Sequence, residues 1–137
     1  RYHIGEFMKK GIIFIVLIII IVFIYFFLIS SRLRSDVILN NYNVNPNGQS
    51  LILEVSVSNS SGYIRKMEHK KVGKKYYLFF YSTFGINSKI GSKNVFELEI
   101  SDDVNEIYFC SGKNEYNLIL KKDNVTSQWG LASSSVN

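Results

Sequence analysis

Residues 11–29 read GIIFIVLIIIIVFIYFFLI, and no charged residue stands between Lys10 and Arg32. A helix of this length rises about 30 Å, the thickness of a bilayer's hydrocarbon core. It is apolar on every side, which a helix packed against a soluble domain does not need. The run therefore reads as a membrane anchor over 8–31. It is followed by a short linker over 32–35 and a separate domain from Asp36 onward.

Working outward toward the N-terminus, Lys9 and Lys10 supply the basic start of a secretory signal. The apolar stretch exceeds the roughly 7–15 residues of a cleaved signal. Leu28 and Ile29 stand beside Ser30-Ser31 where a cleavage site wants small residues. A retained signal-anchor is the expectation, and no Cys follows the run to carry a lipid. Arg1 to Phe7 read as translated upstream sequence or a cloning scar before Met8. Ile4-Gly5-Glu6-Phe7 back-translates to a ribosome-binding-site-like AGGAGA. Lys9 and Lys10 on one flank balance Arg32 and Arg34 on the other, so the positive-inside count does not orient the helix. The short N-terminal tail favours an inside N-terminus and a C-terminal domain outside the cytoplasm.

The formal charge of +5 does not imply nucleic acid. Residues 1–34 carry Arg1, Lys9, Lys10, Arg32 and Arg34 against Glu6. The remainder holds eleven basic and ten acidic residues. The excess thus sits at the membrane flanks, where it meets lipid head groups. Arg, the preferred residue for base and phosphate contacts, occurs once after position 34, as Arg65. Cys110 is alone and forms no internal disulfide. About 90 residues suffice for one modest core.

Short apolar alternations then replace the helical run. Asp36–Asn43 is a first strand, closed by the turn signal Asn45-Pro46-Asn47-Gly48. Leu51, Leu53, Val55 and Val57 alternate with Glu54, Ser56 and Ser58, the pattern of a half-buried strand. Tyr63–Val72 and Lys75–Ser82 flank Gly73-Lys74 as a hairpin. Phe84 to Asn94 reads as a loop, and Phe96, Leu98 and Ile100 alternate with Glu97 and Glu99. Glu106–Cys110 and Tyr116–Leu120 form a second hairpin. About seven strands and no further helix predict an all-β fold, an antiparallel Ig-like sandwich over 36–124. Tyr108-Phe109-Cys110 matches Tyr-x-Cys of an immunoglobulin strand, but the partner Cys and the intervening Trp are lacking. Residues 125–137, with three consecutive Ser and Trp129, read as a disordered tail.

No catalytic constellation stands out. Cys110 and His69 suggest a cysteine nucleophile on a sortase-like β domain, but no Arg follows Cys110, and a small buried thiol explains it better. Ser-x-x-Lys is absent, and the chain has too few His and Cys for a zinc site. Glu99, Asp102, Asp103, Asn105 and Glu106 make an acidic corner that matches no calcium loop. Glu97 and Glu99 share a strand face, which suits glycoside cleavage and a solvated face equally. No cofactor and no metal are expected.

Two surfaces suggest binding instead. Arg65, Lys66, Lys70, Lys71, Lys74 and Lys75 are expected around the hairpin turn, a contact for anionic lipid or wall polymer, or a guard against edge pairing. Residues 76–91, YYLFFYSTFGINSKIG, crowd aromatics before a polar loop. If Tyr77, Phe79 and Tyr81 serve the core, Tyr76, Phe80 and Phe84 fall on the other face. The candidate ligand or partner site is Tyr76, Phe80, Tyr81, Thr83, Phe84, Asn87 and Lys89.

Ser61-Gly62-Tyr63-Ile64-Arg65, Tyr81-Ser82-Thr83-Phe84-Gly85, Ile86-Asn87-Ser88-Lys89-Ile90-Gly91 and Asn105-Glu106-Ile107-Tyr108-Phe109 span most of residues 60–110. On these pieces the chain resembles uncharacterised small membrane-anchored proteins of low-GC Gram-positive bacteria. Those proteins carry one more Gly after the Phe-Gly pair, so the loop here is a residue shorter. The resemblance implies no activity, cofactor or partner and marks 84–91 as the place to look. The resulting expectation is an exported, membrane-anchored β-sandwich module that binds a protein partner or envelope ligand without catalysis. The alternatives are a small envelope-acting hydrolase using the carboxylates of 96–106, or a structural spacer.

Overall fold

A computed structural model describes residues 2–29, 32–58, 62–83 and 89–132. Helix α1 spans Tyr2–Ile29. It takes in residues 2–7, which the sequence set outside the fold. Within it Ile4–Phe26 is a single helix long and apolar enough to cross a membrane, with mean hydropathy 2.8. Every side chain from Ile4 to Phe26 is exposed, so the β domain does not bury this apolar surface.

Nine strands follow among the described residues: β1 Leu33–Arg34, β2 Val37–Val44, β3 Ser50–Val57, β4 Ile64–Val72, β5 Lys75–Ser82, β6 Val95–Glu99, β7 Glu106–Gly112, β8 Glu115–Lys122 and β9 Trp129–Leu131. They form two sheets, as a β-sandwich behind one helix requires. The smaller is β2-β3-β6, and the larger runs β4-β5-β7-β8-β9 with β1 also on β5. All pairs are antiparallel except β5–β7, which is parallel with Tyr77 opposite Tyr108. That departure from a uniformly antiparallel sandwich has a topological cause. After β5 the chain crosses to the other sheet for one strand, β6, and returns, so β7 points the same way as β5.

The alternation read in β3 and β6 fills the core. Leu51, Leu53 and Val55 from β3 and Phe96 and Leu98 from β6 are buried. They face Leu78, Phe80, Ile107, Phe109 and Leu120 of the larger sheet. Phe80 joins the layers, meeting Phe96 at 5.8 Å and Phe109 at 4.9 Å, both edge to face. The β4–β5 hairpin turns on Gly73, whose φ of 61° fits the first central position of a type II′ turn.

Two segments expected to be unstructured are strands. In the linker 32–35, Leu33 pairs with Tyr81 and Arg34 with Phe80. Arg34 then grips Asp36 with two hydrogen bonds of 3.0 and 2.8 Å. Its guanidinium lies where a Cβ on Gly62 would be, so a side chain there would displace Arg34, and the φ of 129° at Gly62 is what calls for glycine. In the tail 125–137, β9 adds an edge to β8, and Ala132 N–H donates to the Ile119 carbonyl at 2.9 Å. Trp129 packs half-buried against the core, and its carbonyl accepts the Tyr42 hydroxyl from the other sheet at 3.2 Å. Tertiary contacts order residues 129–132, while 133–137, with the three consecutive Ser, lie outside the described residues.

Candidate functional site

Strand β5 lies inside the larger sheet and is aromatic on both faces. Leu78, fully buried, fixes which face is inward. Its parity places Tyr76 (6% exposed) and Phe80 (1%) in the core and turns Tyr77, Phe79 and Tyr81 outward. This reverses the sequence assignment, in which Tyr76 and Phe80 faced a ligand. Thr83 is also buried, at 1% exposure, with its N–H on the Tyr63 carbonyl. Phe84 and Asn87 lie outside the described residues, and Lys89 is exposed.

The outward face of β5 is continued by its neighbours. Tyr108 on β7 stacks on Tyr77 at 5.2 Å with planes 22° apart. Tyr116 on β8 meets Tyr77 edge-on at 4.7 Å and Phe79 at 6.1 Å. Cys110 shares this face but is covered, its Sγ 3.1 Å from the Gly112 carbonyl. Lysines border the aromatic rows: Lys66 Nζ lies 4.8 Å from the Tyr81 ring and Lys75 Nζ 5.5 Å from that of Tyr108.

Carboxylates on the same face tune two phenols. Lys66 pairs with Glu68 at 3.1 Å, and hydrogen bonds from Lys66 and Tyr81 hold the Glu68 carboxyl below its usual range. Burial, and then the Glu68 hydrogen bond, push the Tyr81 phenol up. The Tyr108 hydroxyl donates to Glu106 Oε2 at 2.5 Å, and this bond, with burial, pushes its phenol up to about 12.

The basic residues of the hairpin do not form one patch. Register puts Lys71 opposite Tyr76 and Val72 opposite Lys75 beside the turn, with Lys74 in the turn itself. Arg65 and Lys66 stand at the far, open end opposite Tyr81 and Ser82, where β4 bulges. Lys66 and Lys70 pair with Tyr81 and Tyr77 and so face outward with them. Lys71 reaches Asp103 at 2.9 and 3.0 Å and depresses that carboxyl.

Apart from the outward face of β5, an open cleft of about 930 Å³ lies where β4 and β6 are the edge strands. Asn45, Gln49, His69, Tyr76, Glu99 and Asp102 contribute to its wall. The acidic corner is thereby divided. Glu99 and Asp102 enter the cleft, Asp103 is held by Lys71, and Glu106 accepts from Tyr108. Among the described residues no three His, Cys, Asp or Glu side chains group closely enough to hold a metal ion.

No protein-family model, curated protein or solved structure matches the chain. Tyr77, Tyr108 and Tyr116 are not distinguished as a surface by the sequence pattern alone. The signal available for them was the period-two pattern of Ile107, Tyr108 and Phe109, which sends Tyr108 opposite to two core residues.

Proposed function

We propose that the protein is a single-pass, membrane-anchored module that binds a protein partner or an envelope ligand and performs no catalysis. On this reading the N-terminal end of the helix faces the cytoplasm and the β domain the outside. The resemblance to membrane-anchored proteins of Gram-positive bacteria supports a bacterial cytoplasmic membrane. The observation that carries the reading is the outward face of the larger sheet. Tyr77, Phe79, Tyr81, Tyr108 and Tyr116 stand on the side turned away from the core, with Tyr116 39% exposed. Aromatic rings present large contact area with few rotatable bonds, and lysines at their margin suit an anionic or polar ligand.

Crosslinking and co-purification of the anchored protein from its own membrane test this. Tyr77→Ala with Tyr116→Ala should reduce recovery of the bound partner or polymer at least about tenfold while the domain stays folded. Unchanged recovery refutes the site.

The cleft supports the second reading, an envelope-acting hydrolase. Glu97, Glu99 and Asp102 line it together with His69, so carboxylates and an imidazole share one concavity. Alanine at the three carboxylates abolishes such an enzyme and spares a binder. A mere spacer tolerates both these substitutions and a Gly/Ser replacement of 84–91.

A further inference from the structure

Only residues 30–32 separate α1 from β1, and β1 is itself hydrogen-bonded into the larger sheet. On the reading that α1 spans the membrane, this tether cannot hold the domain away from the bilayer. Three residues reach at most about 10 Å when extended. The topology then decides which end of the sandwich meets the lipid. β1 pairs with the C-terminal end of β5, and that end holds the start of β4 and the approach to β6. Backbone hydrogen bonds stitch these pieces together: Ser82 N–H to Arg32 C=O at 2.8 Å, Thr83 N–H to Tyr63 C=O at 3.0 Å, and Lys93 N–H to Ile64 C=O at 2.7 Å. The β7–β8 turn comes to the same end, because β7 runs parallel to β5.

The charge of the domain divides along this axis. With the Arg34–Asp36 pair set aside, the tethered end carries Arg32, Arg65, Lys66, Lys89, Lys93 and Lys113. Glu54 and Glu115 oppose them, and Glu68 lies one outward position further up β4, so basic groups outnumber acidic ones there two to one. At the opposite end Lys71, Lys74, Lys75, Lys121 and Lys122 meet Glu99, Asp102, Asp103, Glu106 and Asp123 in equal number. Exposed apolar and aromatic groups are mixed into the basic end: Leu33, Tyr63 and Ile90, the last 75% exposed. Basic residues with amphipathic and apolar side chains are the composition of a surface that rests at a lipid headgroup layer.

We propose that this end of the domain docks on anionic lipid headgroups of the bilayer that its own helix crosses. The docked domain stands upright, with the Asn45–Gln49 turn and the mouth of the cleft directed away from the membrane. Because the inference rests on α1 spanning the membrane, its test reports the two separately. The full chain is placed in nanodiscs rich in phosphatidylglycerol or made of phosphatidylcholine alone. Single-cysteine probes at Ile20, Asn47 and Ile90, in a Cys110→Ser background, are read by a headgroup-attached quencher and a water-soluble one.

The expected result is a severalfold stronger headgroup quenching at Ile90 than at Asn47 in the anionic discs. That difference should fall in phosphatidylcholine, in high salt and in the exposed-site variant Lys89→Glu/Lys93→Glu/Lys113→Glu, while the Ile20 probe stays shielded from water. Equal quenching at Ile90 and Asn47 with Ile20 shielded overturns the docking and leaves the anchor standing. An Ile20 probe open to water overturns the anchor and the docking together. Hydrogen exchange of the unlabelled chain in the same two discs keeps the test valid if Cys110→Ser misfolds. Protection of the amides of 89–94 that does not change with lipid overturns the proposal.

Discussion

Tyr108 gives the residue scale its sharpest consequence. Its hydroxyl donates to Glu106, and the phenol is pushed from 10.0 up to about 12. The neutral phenol is favoured in the folded state, so its contribution to stability is fully present below pH 10. That contribution is lost as pH rises toward 12. The tyrosinate absorbance removed by Tyr108→Phe should therefore titrate near pH 12. Glu106→Gln, which replaces a charged acceptor with a neutral one, should bring it back toward 10. A Tyr108 titration that ignores Glu106 would show that burial alone sets the value. Cys110 illustrates the opposite economy on the same face: its thiol is covered and bonded to the Gly112 carbonyl, consistent with a packing role.

Among the elements, β5 separates what the sequence discloses from what it hides. Strands β2 through β8 were legible because apolar and polar residues alternate or turn residues punctuate them, as in Leu51–Val57 and Phe96–Ile100. In Tyr76–Tyr81 every residue is aromatic or apolar, so the period-two signal has no amplitude and either face could be the core. Only the opposing layer, Phe96 and Leu53 among it, selects Tyr76, Leu78 and Phe80. The candidate site inherits that ambiguity, which is why the sequence pattern puts Tyr76 and Phe80 on the wrong side. The parallel β5–β7 pair and the short β1 and β9 depend on partners far away in the chain, and local pattern carries no trace of them. The face assignment has a measurable outcome. Phe80→Ala should destabilise the domain by about 3–5 kcal/mol, and Tyr77→Ala by only about 1 kcal/mol. Urea unfolding in detergent, followed by Trp129 fluorescence, compares them, and equal losses would put both rings in the core.

Across the whole molecule, the two sheets are joined outside the apolar core by a hydrogen bond from Tyr42 to Trp129, among others. Tyr42→Phe removes the donor while keeping the ring that packs on the core, so it should cost about 0.5–1.5 kcal/mol. Its signature is earlier hydrogen exchange at β9 and β2 together, with exchange in β5 unchanged; loss confined to one sheet would argue against a clasp between them. β1 has a further consequence, which is mechanical. On the proposed topology, any pull on the bound ligand is transmitted to the anchor through Leu33 and Arg34. These two residues lie antiparallel along β5, so the load is applied in shear across their hydrogen bonds and the Arg34–Asp36 clamp rather than by peeling. This two-residue strand is then the first part of the fold to yield under tension; its release lengthens the covalent tether by a few residues and passes the load to β2.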